Sequence, residues 1–253
     1  MYAPFVTAGD LVFDIGAHVG DRTAAFSALG ARVVALEPQA DIANWLERRV
    51  GGLDGVRVIR DAVGPEPGRA RLAVSGAHPT LSTLAHDWAR RIGTRNPTFA
   101  AVEWNEAVEV EVTTLDELIR RFGEPSFCKI DVEGFEAEVL AGLSTPLAAL
   151  SVEFVAGSLE VTRACLEHLE RLGRYEYNVI LGERRRLHLA GWVDADHIRR
   201  WLDDGADGAS SGDLYARRCT TVEAPPESRP QSQPGSRPGS RPAPSPGPHP
   251  EAE

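Results

Sequence analysis

Short apolar runs punctuated by Gly and Pro dominate the first sixty residues. Leu11-Val-Phe-Asp-Ile15, stopped by Gly16, has the pattern of a strand buried on both faces. A helix is predicted from about Gly20-Asp21 through Ala24, Ala25 and Ala28 to Gly30, a natural stop. Residues 33–36 read as a second buried strand ended by Glu37-Pro38, 41–50 as a helix closed by Gly51-Gly52, and 56–59 as a third strand. Strands and helices alternating at this spacing predict βαβ units in a parallel sheet. The right-handed crossover rule then places the three strand ends at one rim.

The pattern changes after Asp61. Residues 69–74 suit a strand, but 75–107 shows no clear period and reads as an insertion, expected to lie on the acceptor side as a lid. Its Trp88, Phe99 and Trp104 either wall an apolar acceptor or anchor the insertion to the domain, the second reading being favoured. Val108, Val110 and Val112 alternate with Glu109, Glu111 and Thr113, as in a half-exposed strand. Thr114-Leu-Asp-Glu117 matches a capping box opening a helix that ends near Gly123. Residues 127–131 and 150–155 read as buried strands, with a short helix over 135–141 between them. Ser158 is the predicted N-cap of a helix with Leu159, Leu166, Leu169 and Leu172 on its apolar face. Residues 175–181 and 187–189 are predicted to pair around Gly182, with a last strand at 213–216.

Of the 18 prolines, ten lie between Pro225 and Pro250. A stretch of Pro, Ser, Gly and Arg cannot bury enough apolar area to offset its ordering entropy, so 221–253 is expected to be a disordered tail and 1–220 one folded domain. The 42% apolar content over 253 residues supplies a sizeable core. A formal net charge of −10 speaks against nucleic acid and anionic membranes as partners and leaves a small-molecule acceptor. Three scattered cysteines (Cys128, Cys165, Cys219), no basic leader before an apolar stretch and no apolar run of membrane-spanning length lead to the expectation of a soluble, cytoplasmic protein with reduced thiols. Oligomeric state is not written in the chain. Lys129 is the one lysine among 27 basic residues.

The first strand ends in Asp14-Ile-Gly16-Ala-His-Val-Gly20, and glycines in a strand-to-helix turn let backbone approach a ligand closely. A dinucleotide fingerprint fails, because His18 and Asp21 stand where its second and third glycines belong, and no P-loop is present. Asp14 opposes a pyrophosphate and suits a cation. Glu37 follows Gly16 by 21 residues, the spacing at which an acid reaches ribose hydroxyls. Asp61-Ala-Val63 offers an acceptor and a small apolar wall for an adenine. Three such loops at one rim describe a pocket for a positively charged adenosyl ligand, S-adenosylmethionine.

Phe13-Asp-Ile-Gly-Ala-His-Val-Gly20, Ala35-Leu-Glu-Pro38, Asp61-Ala-Val-Gly64, Thr114-Leu-Asp-Glu-Leu118, Lys129-Ile-Asp-Val-Glu-Gly134, Val139-Leu-Ala-Gly142 and Val152-Glu-Phe154 occur in this order. The series resembles the FkbM-type S-adenosylmethionine-dependent methyltransferases from about Asp10 to Arg217, weakly over 75–107, and is most specific at the Lys129–Gly134 segment. The resemblance implies an α/β, Rossmann-like class I methyltransferase fold: a three-layer sandwich around a seven-stranded, mostly parallel sheet with the last strand antiparallel. It implies methyl transfer, in this family mostly to a hydroxyl of a sugar or secondary metabolite. By motif position Asp14, Gly16 and Gly20 line the methionine end of the cofactor, Glu37 holds the ribose, and Asp61, Ala62 and Val63 border the adenine. Ala17, His18, Thr23, Pro38 and Asp131 complete the expected cofactor set. His18 stands where the family usually has Asn.

Methyl transfer to an alcohol needs in-line alignment and a base for the hydroxyl proton. Asp131 is the candidate base or a supporting anchor, tuned by Lys129; the competing reading is a buried ion pair that only fixes the loop. Glu133 and Glu153 are expected to hold the acceptor or, as a lesser alternative, to share a divalent ion with Asp131; no metal is otherwise expected. His18 is the histidine candidate for base, with His78 and His86 able to enter from the insertion. The competing functions are a nicotinamide-dependent oxidoreductase and a non-catalytic binding module.

Overall fold

Three parallel neighbours begin the fold: β1 (Leu11–Ile15), β2 (Arg32–Leu36) and β3 (Val56–Ile59), connected by α1 (Asp21–Ala28) and α2 (Ala40–Val50). The computed structural model describes residues 1–78 and 80–219, so the expected disordered tail lies outside the described residues. After β3 the chain leaves this sheet. β4 (Ala62–Val63), β5 (Gly68–Val74) and β6 (Glu106–Thr113) form a separate three-stranded sheet, with α3 (His86–Arg95) between β5 and β6. The chain then runs through α4 (Leu115–Phe122), β7 (Phe127–Ile130), α5 (Glu136–Ala141), β8 (Ala149–Val155), α6 (Leu159–Leu172), β9 (Tyr175–Leu181), α7 (Ala195–Asp203) and β10 (Ser211–Arg218). The main sheet has the order β3-β2-β1-β7-β8-β10-β9, and β10 alone runs antiparallel to its neighbours. This is the class I methyltransferase architecture that the motif order implies.

Side-chain alternation feeds two cores. Phe13, Ile15, Cys128, Ile130, Leu150 and Val152 face α4–α7, whereas Val12, Val33, Ala35 and Phe127 face α1, α2 and the N-terminal segment. On this second face the central positions turn polar. Asp14, Lys129, Ser151, Tyr215 and Asn178 stand in one register row across β1, β7, β8, β10 and β9, and all five are buried. Two residues further toward the rim, Glu153 pairs with Asp213. Phe5 of the N-terminal segment stacks on Tyr215, with ring centroids 5.6 Å apart. The sheet thus delivers charge to one rim on one face, beside helix α1.

Several local expectations change. The insertion contains α3, whose Trp88 and Ile92 are buried while Arg and Asp cover the rest, so the charged positions hide a one-sided helix. Trp88 and Phe99 join Val155 in a small core, and the Trp88 indole donates to Ser158 Oγ at 3.0 Å. They anchor the insertion to the domain. Thr114 accepts from Glu117 N as half of a capping box, but Glu117 bonds Thr113, not the cap. Residues 187–189 form no strand, and β9 pairs with β10. The buried Asn178 amide claims that segment: its Nδ2 donates to the Leu189 and Gly191 carbonyls and its Oδ1 accepts from Leu189 N. Helix α7, absent from the sequence reading, then packs Ile198 and Leu202 beneath β9. Among the described residues no helix is long and apolar enough to cross a membrane.

Asn178→Leu removes an amide that serves four backbone groups, two carbonyls and two N–H groups. The expected cost is about 2–4 kcal/mol in urea unfolding; an unchanged midpoint would show that the amide does not hold the 187–191 segment.

Candidate functional site

The loops after the parallel strands converge on a cavity of about 270 Å³ at the carboxyl ends of β1, β2, β3 and β7. Gly16 and His18 come from the loop after β1, Glu37 and Pro38 from the end of β2, Asp61–Val63 from the crossover after β3, and Asp131–Glu133 from the loop after β7. Thr80–Leu84 of the insertion forms the remaining wall. Gly16 is required here. Its φ is +76°, and a Cβ would sit 1.9 Å from the Asp131 carbonyl oxygen, so only glycine lets the loops after β1 and β7 touch.

Glu37 is the cavity's most ordered acid. Its Oε2 accepts from His18 N at 3.1 Å and its Oε1 from Gln39 N at 3.0 Å, which ties the end of β2 to the glycine loop. An ionised carboxylate has about four acceptor positions, so lone pairs remain for two ligand hydroxyls. Burial pushes its pKa up to about 7 against those two backbone bonds. Asp61 is partly exposed beside Ala62 and Val63, and desolvation raises its pKa.

Three residues of the expected cofactor set, Asp14, Thr23 and Gly20, line neither cavity. Asp14 is wholly buried, accepts from Thr23 Oγ1 at 2.6 Å, and borders neither this cavity nor its neighbour. Thr23 is equally buried and positions Asp14. Gly20, at φ +89°, caps α1 and packs against Leu46 of α2. These three shape the loop from behind, and Asp14 acts on the site through its charge. Ala17 lines a second, more polar cavity of about 770 Å³, which adjoins the first through Gly16, His18 and Asp131.

The end of β7 carries the densest charge. Lys129 is 3% exposed and donates to Asp131 Oδ2 at 2.7 Å. Burial alone would lower the ammonium pKa, but Asp131, Asp14 and Asp213 together raise it. Burial works to raise Asp131, and the ammonium overcomes it to hold that carboxyl below its ordinary range. β7 stops at Ile130, so Glu133 does not continue the strand alternation; it sits at φ +54°. One oxygen from each of Asp131, Glu133 and Glu153 nevertheless lies within 4.8 Å of the others. Burial, then the Asp131 charge, pushes both glutamates well above their usual range, so protons or a cation must offset the cluster.

Three further acids and bases complete the rim. Glu136, missed in the sequence, accepts from Val132 N and Gly134 N, both at 3.1 Å, and fixes the loop that presents Asp131 and Glu133. Asp213, also missed, is brought opposite Glu153 by β10, and burial moves its pKa to about 6. His18 is half-buried at φ +51°, desolvation lowers its pKa, and its Nε2 has no partner. His78 and His86 line neither of these cavities. Thr83 Oγ1 donates to the Glu133 carbonyl at 2.7 Å and fastens the insertion to this loop. A polar residue inside the β10 apolar pattern was the available signal for Asp213; Thr80–Leu84 had none.

The family model described as the methyltransferase FkbM domain matches residues 14–212. No curated protein matches the chain. Among solved structures it is similar to a precorrin-6y C5,15-methyltransferase from Geobacter metallireducens, at 11% identity over 85% of this chain and 82% of that one, TM-score 0.45. A putative rRNA methylase from Clostridium thermocellum matches at 11% identity over 87% and 92%, TM-score 0.42. A SAM-dependent O-methyltransferase from Thermotoga maritima matches at 13% identity over 87% and 63%, TM-score 0.40.

The buried acids set a pH dependence. Glu37 and Glu136 rise from 4.5 to about 7 on folding, so between those values the folded chain holds more protons than the unfolded one. Their contribution to stability is present below the unfolded pKa and is lost as pH rises through the folded pKa. The melting temperature of the ligand-free chain is expected to fall between about pH 4.5 and 7, and Glu37→Gln to make the fall shallower. A melting temperature that rises across this window would contradict the assignment.

Proposed function

The chain belongs to the FkbM methyltransferase family and is an S-adenosylmethionine-dependent methyltransferase, and from that premise we propose that it methylates a hydroxyl oxygen of a sugar or secondary metabolite, with Asp131 as the proton acceptor. The observation that carries this reading is the position of Asp131: it borders both cavities and is kept anionic by a buried ammonium. The nicotinamide alternative falls with the family assignment.

The residues of the first cavity fit the cofactor. Glu37 offers paired acceptors to the ribose hydroxyls, while Ala62 and Val63, with Asp61 beside them, suit the adenine. Gly16, Ala17 and His18 border the passage between the cavities, where the methionine end belongs. Asp14 adds negative charge from beneath and Asp131 from the rim, which favours a sulfonium there. When bound, S-adenosylmethionine supplies an electrophilic methyl carbon on a sulfonium that leaves as a neutral thioether.

Asp131 accepts the acceptor's hydroxyl proton as the oxygen bonds to that carbon. A weak base suffices, because an alcohol oxygen becomes strongly acidic while it gains the methyl group. Lys129 limits the Asp131 carboxylate to one well-defined orientation. Glu133 and Glu153, held protonated by burial, offer O–H donors to acceptor oxygens beside the reacting one. His18 is a neutral imidazole at the junction, suited to accept a hydrogen bond from either ligand.

Calorimetry with S-adenosylhomocysteine tests the cofactor half. Binding by the parent and roughly 10–100-fold weaker binding by Glu37→Ala are expected, since two charge-assisted hydrogen bonds are removed. Asp131→Asn should keep that affinity while methyl transfer to a panel of sugar and polyol acceptors falls by about two orders of magnitude or more. Retained transfer in Asp131→Asn would remove it as the base, and loss of soluble protein would assign the pair to folding alone.

A further inference from the structure

The second cavity, which the cofactor residues leave largely free, is lined by charges of both signs. Lys129 and Asp131 come from the end of β7, Asp21 and Arg22 from α1, and Glu183 and Arg185 from the segment after β9. Arg185 belongs to the exposed run Glu183-Arg-Arg-Arg186 after β9. Among the described residues Arg184, Arg185 and Arg186 have no carboxylate within 4.0 Å, although the chain carries ten more acidic than basic residues. Arg22 has a partner, Glu183 at 3.0 Å, but that carboxylate is 89% exposed and readily exchanged for another anion. Arg22 and Arg185 thus offer two guanidinium groups to one cavity, a donor set suited to an oxyanion, while Arg184 and Arg186 line a separate small cavity.

We propose that the methyl acceptor carries an oxyanion, a phosphate or carboxylate, at a distance from the hydroxyl that is methylated. This rests on the methyltransferase reading and narrows its acceptor class. The hydroxyl lies at Asp131, and the oxyanion docks between Arg22 and Arg185 with Arg184 and Arg186 adding to the local field. The lining offers carboxylates to a cationic sulfonium and guanidinium groups to an anionic acceptor. Arginines on an exposed loop also steer an anion toward an otherwise acidic protein, an effect that salt weakens.

The full chain saturated with S-adenosylhomocysteine is titrated by calorimetry at low ionic strength with inorganic phosphate, with acetate, and with neutral methyl glucoside. Phosphate or acetate binding, weakened about tenfold or more in R185Q and in R184Q/R185Q/R186Q, is expected, with S-adenosylhomocysteine affinity within about twofold of the parent. Which anion binds more tightly assigns phosphate or carboxylate. Anion binding that is absent, or unchanged by these substitutions, overturns the proposal. A parallel loss of S-adenosylhomocysteine affinity also overturns it, because the arginines would then serve the cofactor's own carboxylate. Failure of the parent to bind S-adenosylhomocysteine is a different result, which removes the methyltransferase reading itself.

Discussion

A single ammonium, Lys129, sits in the middle of the main sheet with Asp131 at 2.7 Å and two other acids, Asp14 and Asp213, close enough to raise its pKa. Removing a charge pair from water is costly, and its mutual attraction offsets that cost only when geometry is good and remaining groups are satisfied. Here the pair stands where β7 ends and the loop to α5 begins. Asp131 N also bonds the Ile15 carbonyl, and the Asp131 carbonyl abuts Gly16. The ion pair thus orients the side chains at the end of β7, while the Asp131 backbone joins the loops after β1 and β7. Glu136 holds the same loop from its other side through two backbone amides. Glu133, Glu153 and Asp213 share the neighbourhood, and burial together with the Asp131 charge raises the pKa of all three.

Much of the main sheet was legible because its central strands are buried on both faces and so read as plain apolar runs. Leu11–Ile15, Phe127–Ile130 and the run ending at Val155 came within a residue or two of the observed strands. The strand-end rule also placed Gly16, Glu37, Asp61 and Asp131 at one rim, and they line one cavity. What failed had a common cause: pairing and capping decided by tertiary partners. Residues 187–189 alternate well enough for a strand, but Asn178 takes their backbone groups. Helix α7 carries few apolar positions among Arg and Asp, so only its packing on the core reveals it.

The same reasoning separates contact from influence within the site. Asp14 belongs to the most recognisable part of the glycine loop, yet it is wholly buried with Thr23 as its partner. It stands in the register row beside Lys129, whose pKa its charge helps to raise. Conversely, Asp213 gave a weak signal and stands in the centre of the charge cluster, because β10 inserts between β8 and β9. Linear motifs mark where the chain turns at the rim. Sheet order decides which distant side chains join them.

Gly134 links the rim to the insertion in one further way. At φ +86° it lies under the Trp88 indole, where an added Cβ would come within 2.5 Å of the ring, and Trp88 in turn bonds Ser158 at the start of α6. Thr83 makes the second attachment, to the neighbouring Glu133 carbonyl. The insertion is thereby joined to the short loop after β7 at two neighbouring points, and through Asn96 to the Ala156 and Ser210 carbonyls as well. Any side chain at 134 would have to displace the indole, so a push on the rim loop is passed through Trp88 to the start of α6.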